Sequence, residues 1–545
     1  MIWHSLREAV SHDDPLRKFQ TTGEIARYLK DLWKQYAELQ LPPRQVPVIG
    51  RNSAHASYHQ FAPYAEVVEI PPRTFVFGRI PVGLLIAYFA DNYGRPGSHE
   101  FLDLGTPLAD SATGAGATGA LGLCNTLIAR TGITPTVNVA FVDSAVSKSR
   151  GAPNGFGGKL GHAISVGVDL SPHAIDVLAV LLDRLDHHGA LGDADMHCAL
   201  VVPPAAPIGL ACFDHANSVE LLNAVKALDA HIGASARPTC VNMSLGTHVG
   251  PHDGNSPLED FVRTKFDVAS QRFVHVAAGN DGLAGVSAVS TLSGALDEYL
   301  RLTVGSTGCT EMLVELWWDA AAGTSLDVTV ELSRLGTGVT IAPLRINSGT
   351  AGTTMGPSGV TGGPICKALF HAACHGTRSC VAFSVSGPTN PTLANLDVDI
   401  TLSSATSMTV NAWLVVCRDQ RSSFVQSAST ASIRVPATDA QLLGVAGATT
   451  AGQPWIRSSR GPAASYGAAP AAGTPPYLAH LVSHPIAGSM GTSLASPRAC
   501  ADSAALLRPP GVVVADSADL ARKIIAANGG TVGGLDPRLG YGVIV

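Results

Sequence analysis

At 545 residues the chain exceeds what one hydrophobic core ordinarily fills, so two or three domains are expected. A hydrophobic share of 46% against 14% charged residues is a globular balance and excludes a largely disordered chain. The net charge of −6 gives no basis for nucleic acid or an anionic membrane as a partner.

The first residues, Met1 to Glu8, run into charge without the apolar stretch of a secretory leader, and Ile80 to Ala90 is too short to span a bilayer. Ten cysteines form no Cys-x-x-Cys pair, which suits reduced, buried thiols and a cytoplasmic location better than a disulfide framework. Leu6 to Leu41 has helical spacing through Leu29, Leu32, Tyr36 and Leu39 and stops at Pro42-Pro43. Val67 to Phe77, broken by Pro71-Pro72, and then Ile80 to Phe89 suggest strands or a buried helix. Residues 1–114 therefore read as an N-terminal α+β region, and Ser111 to Gly119 as a linker.

From Leu121 the pattern alternates between helix and strand. Leu121 to Arg130 is helical, and Val137 to Val142 is an apolar strand that ends at Asp143. A carboxylate at the C-terminal end of a parallel strand lies where open α/β sheets place their reacting groups. Asp103 is a rival with no clear buried strand leading into it. Pro172 to Leu182 reads as a long apolar helix whose first turn carries His173, with Ser171 as an N-cap candidate. His162, which opens an apolar strand-like run, is the chief competitor of His173 as a base. Met196 to Val202 and Cys240 to Gly246 are further buried strands, with a crossing helix from Ser218 to His231 between them. Phe273 to Ala278 is another, closing on Gly279 and Asn280.

From about Asp297 to Val416 the period changes to two, as in Leu326-Asp327-Val328-Thr329-Val330-Glu331-Leu332, with Gly, Ser and Pro turns between runs. That is the pattern of an antiparallel sandwich or jelly roll. His371, Cys374, His375 and Cys380 match no zinc-ligand spacing, so no metal is assigned. The helix-strand pattern resumes with Ala440 to Ala448. Gly488 to Pro497 then crowds small residues around Ser493 before an Ala-rich helical run through Leu507. A hydroxyl at a helix start has backbone N–H groups and the helix dipole directed at it, which suits a nucleophile. Pro497 is expected in that helix's first turn, where its missing N–H costs nothing.

Gly491-Thr492-Ser493-x-Ala495-x-Pro497 resembles the nucleophile motif of the subtilases, the subtilisin-like serine peptidases. Asp143-Ser144-Ala145 resembles their Asp motif with Ala145 for the usual glycine, and Cys240 to Gly246 resembles their substrate-holding segment. Ser458-Ser459-Arg460-Gly461-Pro462 matches a loop of the same family. His375-Gly376-Thr377 copies the family's His motif, but it falls after Asn280 and so out of order; His173 keeps the order, with Ala174 and Ile175 for Gly and Thr. The order Asp143, His173, Asn280, Ser493 is that of subtilisin with its amide interposed.

The resemblance implies a subtilisin-like parallel sheet with helices on both faces, divided between residues 115–290 and 434–545, with a β-sandwich inserted at 291–433 as in spore-germination-type subtilases. It implies a serine endopeptidase acting on polypeptide, with Asp143, His173 and Ser493 catalytic and Asn280 at the oxyanion. Ser244, Leu245, Gly246 and Gly279 would hold the substrate as an added strand. It makes residues 1–114 a removable pro-segment or an accessory domain, and leaves that region or the insert as a docking place for a protein partner. No cofactor is required; the resemblance allows calcium, but no Asp/Glu cluster has calcium-loop spacing. The alternative is a catalytically silent scaffold that binds a partner through the insert.

Overall fold

The structure is a computed structural model that describes residues 45–52, 58–81, 84, 88, 101–104, 123–124, 126–143, 172–201, 218–233, 235–294, 296–304, 311–319, 326–334, 340–347, 357–359, 365–375, 378–386, 396–416, 422–428, 431–461, 475–485, 490–509 and 511–545. The expected helix from Leu6, the linker from Ser111, Ala145 and His162 lie outside the described residues.

An N-terminal antiparallel sheet comes first, from β1 (Gln45–Asn52), β2 (Ala65–Ile70), β3 (Arg73–Pro81) and β4 (Phe101–Leu104), in the order β2-β3-β1-β4. Asp103 is paired across β4 with Ile49 of β1, so this rival carboxylate belongs to a different sheet from Asp143.

The main sheet takes β5 (Val137–Asp143), β6 (Ala194–Leu200), β7 (Thr239–Met243) and β8 (Arg272–Ala277). Its helices on this side of the insert are α1 (Pro172–His187), α2 (Ser218–Ile232) and α3 (Pro257–Lys265). All seven residues of β5 and all five of β7 are buried, because a parallel strand covered on both faces is mostly apolar rather than alternating, and the buried Asn138 and Thr239 side chains bond each other at 3.2 Å.

Among the described residues, eleven strands follow before the sheet resumes: β9 (Ser287–Leu292), β10 (Glu298–Thr303), β11 (Glu311–Asp319), β12 (Asp327–Arg334), β13 (Thr340–Asn347), β14 (Pro357–Gly359), β15 (Ile365–His375), β16 (Arg378–Ser386), β17 (Leu396–Ser403), β18 (Met408–Val416) and β19 (Ser423–Phe424). They form a five-stranded sheet, β13-β12-β17-β10-β19, and a six-stranded one, β14-β15-β16-β11-β18-β9. Val328, Val330, Ile400 and Leu402 from the first meet Val314, Leu316, Phe383 and Val410 from the second in one buried core. The two-residue alternation of these strands gives each sheet one face for this core, which is the expected inserted sandwich. His375 ends β15 in this region, remote in the topology from the main sheet.

The other face of the six-stranded sheet seats on the main body. Trp413 stacks flat on His252, with ring centroids 4.2 Å apart and planes 4° from parallel. Glu315 accepts from the Gly250 backbone at 3.0 Å and from Trp317 Nε1 at 2.9 Å.

Then β20 (Leu443–Ala448), β21 (Leu478–Leu481), α4 (Thr492–Leu507), α5 (Ser517–Ala527) and β22 (Val543–Ile544) complete a seven-stranded parallel sheet ordered β22-β21-β20-β8-β7-β5-β6. The strand order reverses between β5 and β7, whose neighbours lie on opposite sides. The crevice outside the carboxyl ends of such strands is where α/β sheets bind ligands.

Candidate functional site

Every expected site residue among the described ones comes to this crevice from the end of a strand or the start of a helix. Asp143 is the last residue of β5, His173 the second of α1, Asn280 follows β8, and Ser493 is the second of α4. Asp143, Ser493 and Ser244 are fully buried and His173 is nearly so.

His173 Nδ1 donates to Asp143 Oδ1 at 2.9 Å. With the ring proton on Nδ1, Nε2 is the nitrogen that carries the lone pair. Val177 and Val180, on the face of α1 that also carries His173, pack against Leu494 of α4. The imidazole is thereby set along the flank of the helix that starts beside Ser493.

The start of α4 has an unusual cap. Gly491 at the N-cap offers no side chain, and the first N–H of the helix, that of Thr492, donates instead to Asn280 Oδ1 at 3.0 Å. Thr492 Oγ1 donates to the same oxygen at 3.0 Å and accepts from the Gly279 N–H at 3.1 Å. Two donors on Oδ1 decide which end of the amide is oxygen, so Nδ2 turns away from Thr492 as a fixed donor. Gly279 meets this geometry at φ +106°, a backbone conformation open to glycine and strained for other residues.

One expectation fails here. Because α4 already begins at Thr492, Pro497 stands in its second turn, not its first. The missing N–H would have bonded the Ser493 carbonyl. That carbonyl accepts from Ser244 Oγ at 2.8 Å instead. Ser244 Oγ in turn accepts from Asn242 Nδ2 at 3.0 Å, and Asn242 Oδ1 accepts from Ser496 Oγ at 2.6 Å. This chain of bonds ties the serine's turn to β7, and such chains polarise and reinforce one another. Ser493 Oγ lies 3.4 Å from Ser244 O, a long bond.

Two further residues, invisible as site members in the sequence, complete the surroundings of Asn280. Asp281 is gripped by Arg434 through Nε at 2.6 Å and Nη2 at 3.0 Å, and by His248 Nε2 at 3.0 Å. Burial opposes ionisation of Asp281, but the Arg434 guanidinium and the His248 bond outweigh it and hold the carboxyl well below the usual carboxylate range. Arg434 follows directly on the insert, and nothing near it in the sequence hints at this role.

This arrangement can support acyl chemistry: a hydroxyl at a helix start, an imidazole oriented by a carboxylate, and a fixed amide donor. No protein-family model matches the sequence, and no curated protein does. Among solved structures, the CspB protease of Clostridium perfringens matches with a TM-score of 0.53 at 17% identity, over 75% of this chain and 93% of that one. The fold is subtilase-like. The match agrees with a parallel sheet interrupted by an antiparallel insertion, and at this identity it speaks for the fold alone.

Proposed function

We propose that the chain is a serine endopeptidase of the subtilisin type acting on polypeptide. Ser493 attacks the carbonyl, His173 takes the proton at Nε2 and returns it to the leaving amine, and Asp143 steadies the imidazolium. Asn280 Nδ2 and the Ser493 backbone N–H hold the oxyanion, and water repeats the sequence on the acyl-enzyme. Ser244, Leu245, Gly246 and Gly279 hold the peptide. The observation that carries this reading is the 2.9 Å bond from His173 to Asp143 at the switch point of the sheet, on the flank of the Ser493 helix.

The same reading divides the chain into residues 115–290 and 434–545 as the catalytic part and 291–433 as the insert, with residues 1–114 as a pro-segment or an accessory domain seated on it. In support of the last, Phe75 and Phe77 of the N-terminal sheet pack edge-on against Phe261 of α3, at 5.4 and 5.0 Å, in a core shared with Leu222 and Val225 of α2. Arg51 reaches the buried Asp260 at 2.9 Å, where Arg73 and Arg263 also bind. Cys124, Cys240 and Cys500 are free and buried, which favours a reducing compartment such as the cytoplasm.

Labelling with a fluorophosphonate, compared between wild type and Ser493→Ala, tests the proposal. Serine-dependent labelling is expected. A folded wild type that stays unlabelled speaks for the silent scaffold, whose support is Ala145 and Ala174 where the family's Asp and His motifs carry glycine.

A further inference from the structure

Beyond the ends of β7 and β8 lies a slot with a glycine on either wall. A Cβ added to Gly246 would stand 2.9 Å from Arg434 Cβ and 3.0 Å from Val435 O. One added to Gly279 would stand 2.9 and 3.0 Å from Arg434 Cγ and Cδ, and 2.8 Å from Ser459 Oγ. The aliphatic stem of Arg434 therefore occupies the space that two glycines keep open. Its backbone is fixed in place: the Arg434 N–H donates to Ala278 O at 3.0 Å, and Val435 and Thr247 exchange reciprocal bonds of 2.9 Å. The head is fixed as well, by the two-pronged pairing with Asp281, and the side chains of the pair are only 11% and 13% exposed.

We infer that Arg434 determines specificity, filling the slot for the substrate side chain on the acyl side of the cut and restricting it to a small uncharged residue such as alanine, serine or glycine. This deepens the peptidase reading and rests on it, since the walls of the slot are the segments assigned there to hold the peptide. Glycine walls alone would admit a broad side chain; the three methylenes of Arg434 raise the floor between them. An aromatic residue could enter only by displacing the stem and breaking a charge-assisted, bidentate pair, which would strand Asp281 as a buried charge. A basic residue would meet a guanidinium. An acidic one would bring a second carboxylate to donors that Asp281 already engages. The floor also stands next to the chemistry, because Gly279 and Asp281 flank Asn280.

The test uses the full chain with fluorogenic peptides that differ only in having Ala, Phe, Glu or Lys before the cut, and a fluorophosphonate to count active sites. Wild type is expected to favour Ala over Phe by at least about tenfold in kcat/KM, the scale on which pockets discriminate by volume. Arg434→Met with Asp281→Asn keeps the stem, loses the charge without stranding its partner, and should keep that preference. The double variant Arg434→Gly with Asp281→Asn opens the slot without stranding a charge, and its Phe-to-Ala ratio should rise by about tenfold or more. A labelled wild type that cleaves the Phe peptide as readily as the Ala peptide, or a labelled double variant carrying Arg434→Gly with an unchanged ratio, overturns the assignment of Arg434 and leaves the peptidase reading intact. A folded wild type that neither labels nor cleaves removes both.

Discussion

Thr492→Val tests whether the cap of α4 is also what orients the oxyanion donor. Valine keeps the volume of a fully buried side chain but can neither donate to Asn280 Oδ1, now at 3.0 Å, nor accept from the Gly279 N–H, now at 3.1 Å. Stability should fall by about 1–3 kcal/mol, the cost of leaving that buried N–H unsatisfied. Asn280 would keep the Thr492 N–H and lose one of its two anchors. Complete loss of such a donor costs about 2.7–4 kcal/mol of transition-state stabilisation, a magnitude established in subtilisin and carried over here. Losing one anchor worth about 1–1.5 kcal/mol should then lower kcat by about tenfold. KM should hardly move, because the oxyanion exists only beyond the ground state. Steady-state hydrolysis of a fluorogenic peptide, normalised to fluorophosphonate-titrated sites, gives both constants, and Thr492→Ser should restore kcat. A folded Thr492→Val enzyme with wild-type kcat, or with the whole defect in KM, would refute the link between cap and donor.

Two further outcomes concern the frame around the site. Burial, with Asp439 beside it, pushes Glu259 up to about 8, while Thr438 and the Ser256 cap bond it. A carboxyl raised in the folded state stabilises below its unfolded pKa of about 4.3, and that contribution is lost as pH rises through about 8. Glu259→Gln should therefore flatten the fall in Tm between about pH 5 and 8, which calorimetry reads directly; an unchanged slope counts against the buried-acid account. Arg51→Ala should cost about 1.5–3 kcal/mol, the worth of a bond to a charged group, and should speed release of the N-terminal sheet in limited proteolysis. An unaltered digestion pattern would mean that the aromatic contacts with α3 and other ion pairs, such as Arg73 with Asp260 and Arg79 with Glu220, suffice to hold that sheet.

How much of this was legible in the sequence depended on whether the signal was local. The mostly apolar run of β5 placed Asp143 at a buried strand end, and the two-residue period from Asp297 disclosed the sandwich, because burial on two faces or one leaves its period in the chain itself. The start of α4 misled by one turn because its cap comes from Asn280, a residue just past β8, and nothing around Gly491 and Thr492 announces it. Arg434 gave no local signal at all. Its meaning lies in two glycines and a carboxylate more than 150 positions earlier, which only the fold brings to it.

The weakest part of the sequence match, around His173, has a physical account that bears on how such sites diverge. Ala174 and Ile175 replace Gly and Thr, yet both are buried in the main core, where the Ile175 carbonyl accepts from Cys124 Sγ at 3.8 Å. They are core residues of the helix. In the proposed mechanism the imidazole needs two things of its neighbours: a carboxylate at Nδ1, and a helix face packed against the helix that carries the serine. Asp143 meets the first, and Val177 and Val180 against Leu494 meet the second. The residues after the histidine can thus drift with the core while the ring stays in place. The same logic lets a TM-score of 0.53 coexist with 17% identity: strand ends and helix starts are held by the packing of many residues, and few of those are obliged to be any particular one.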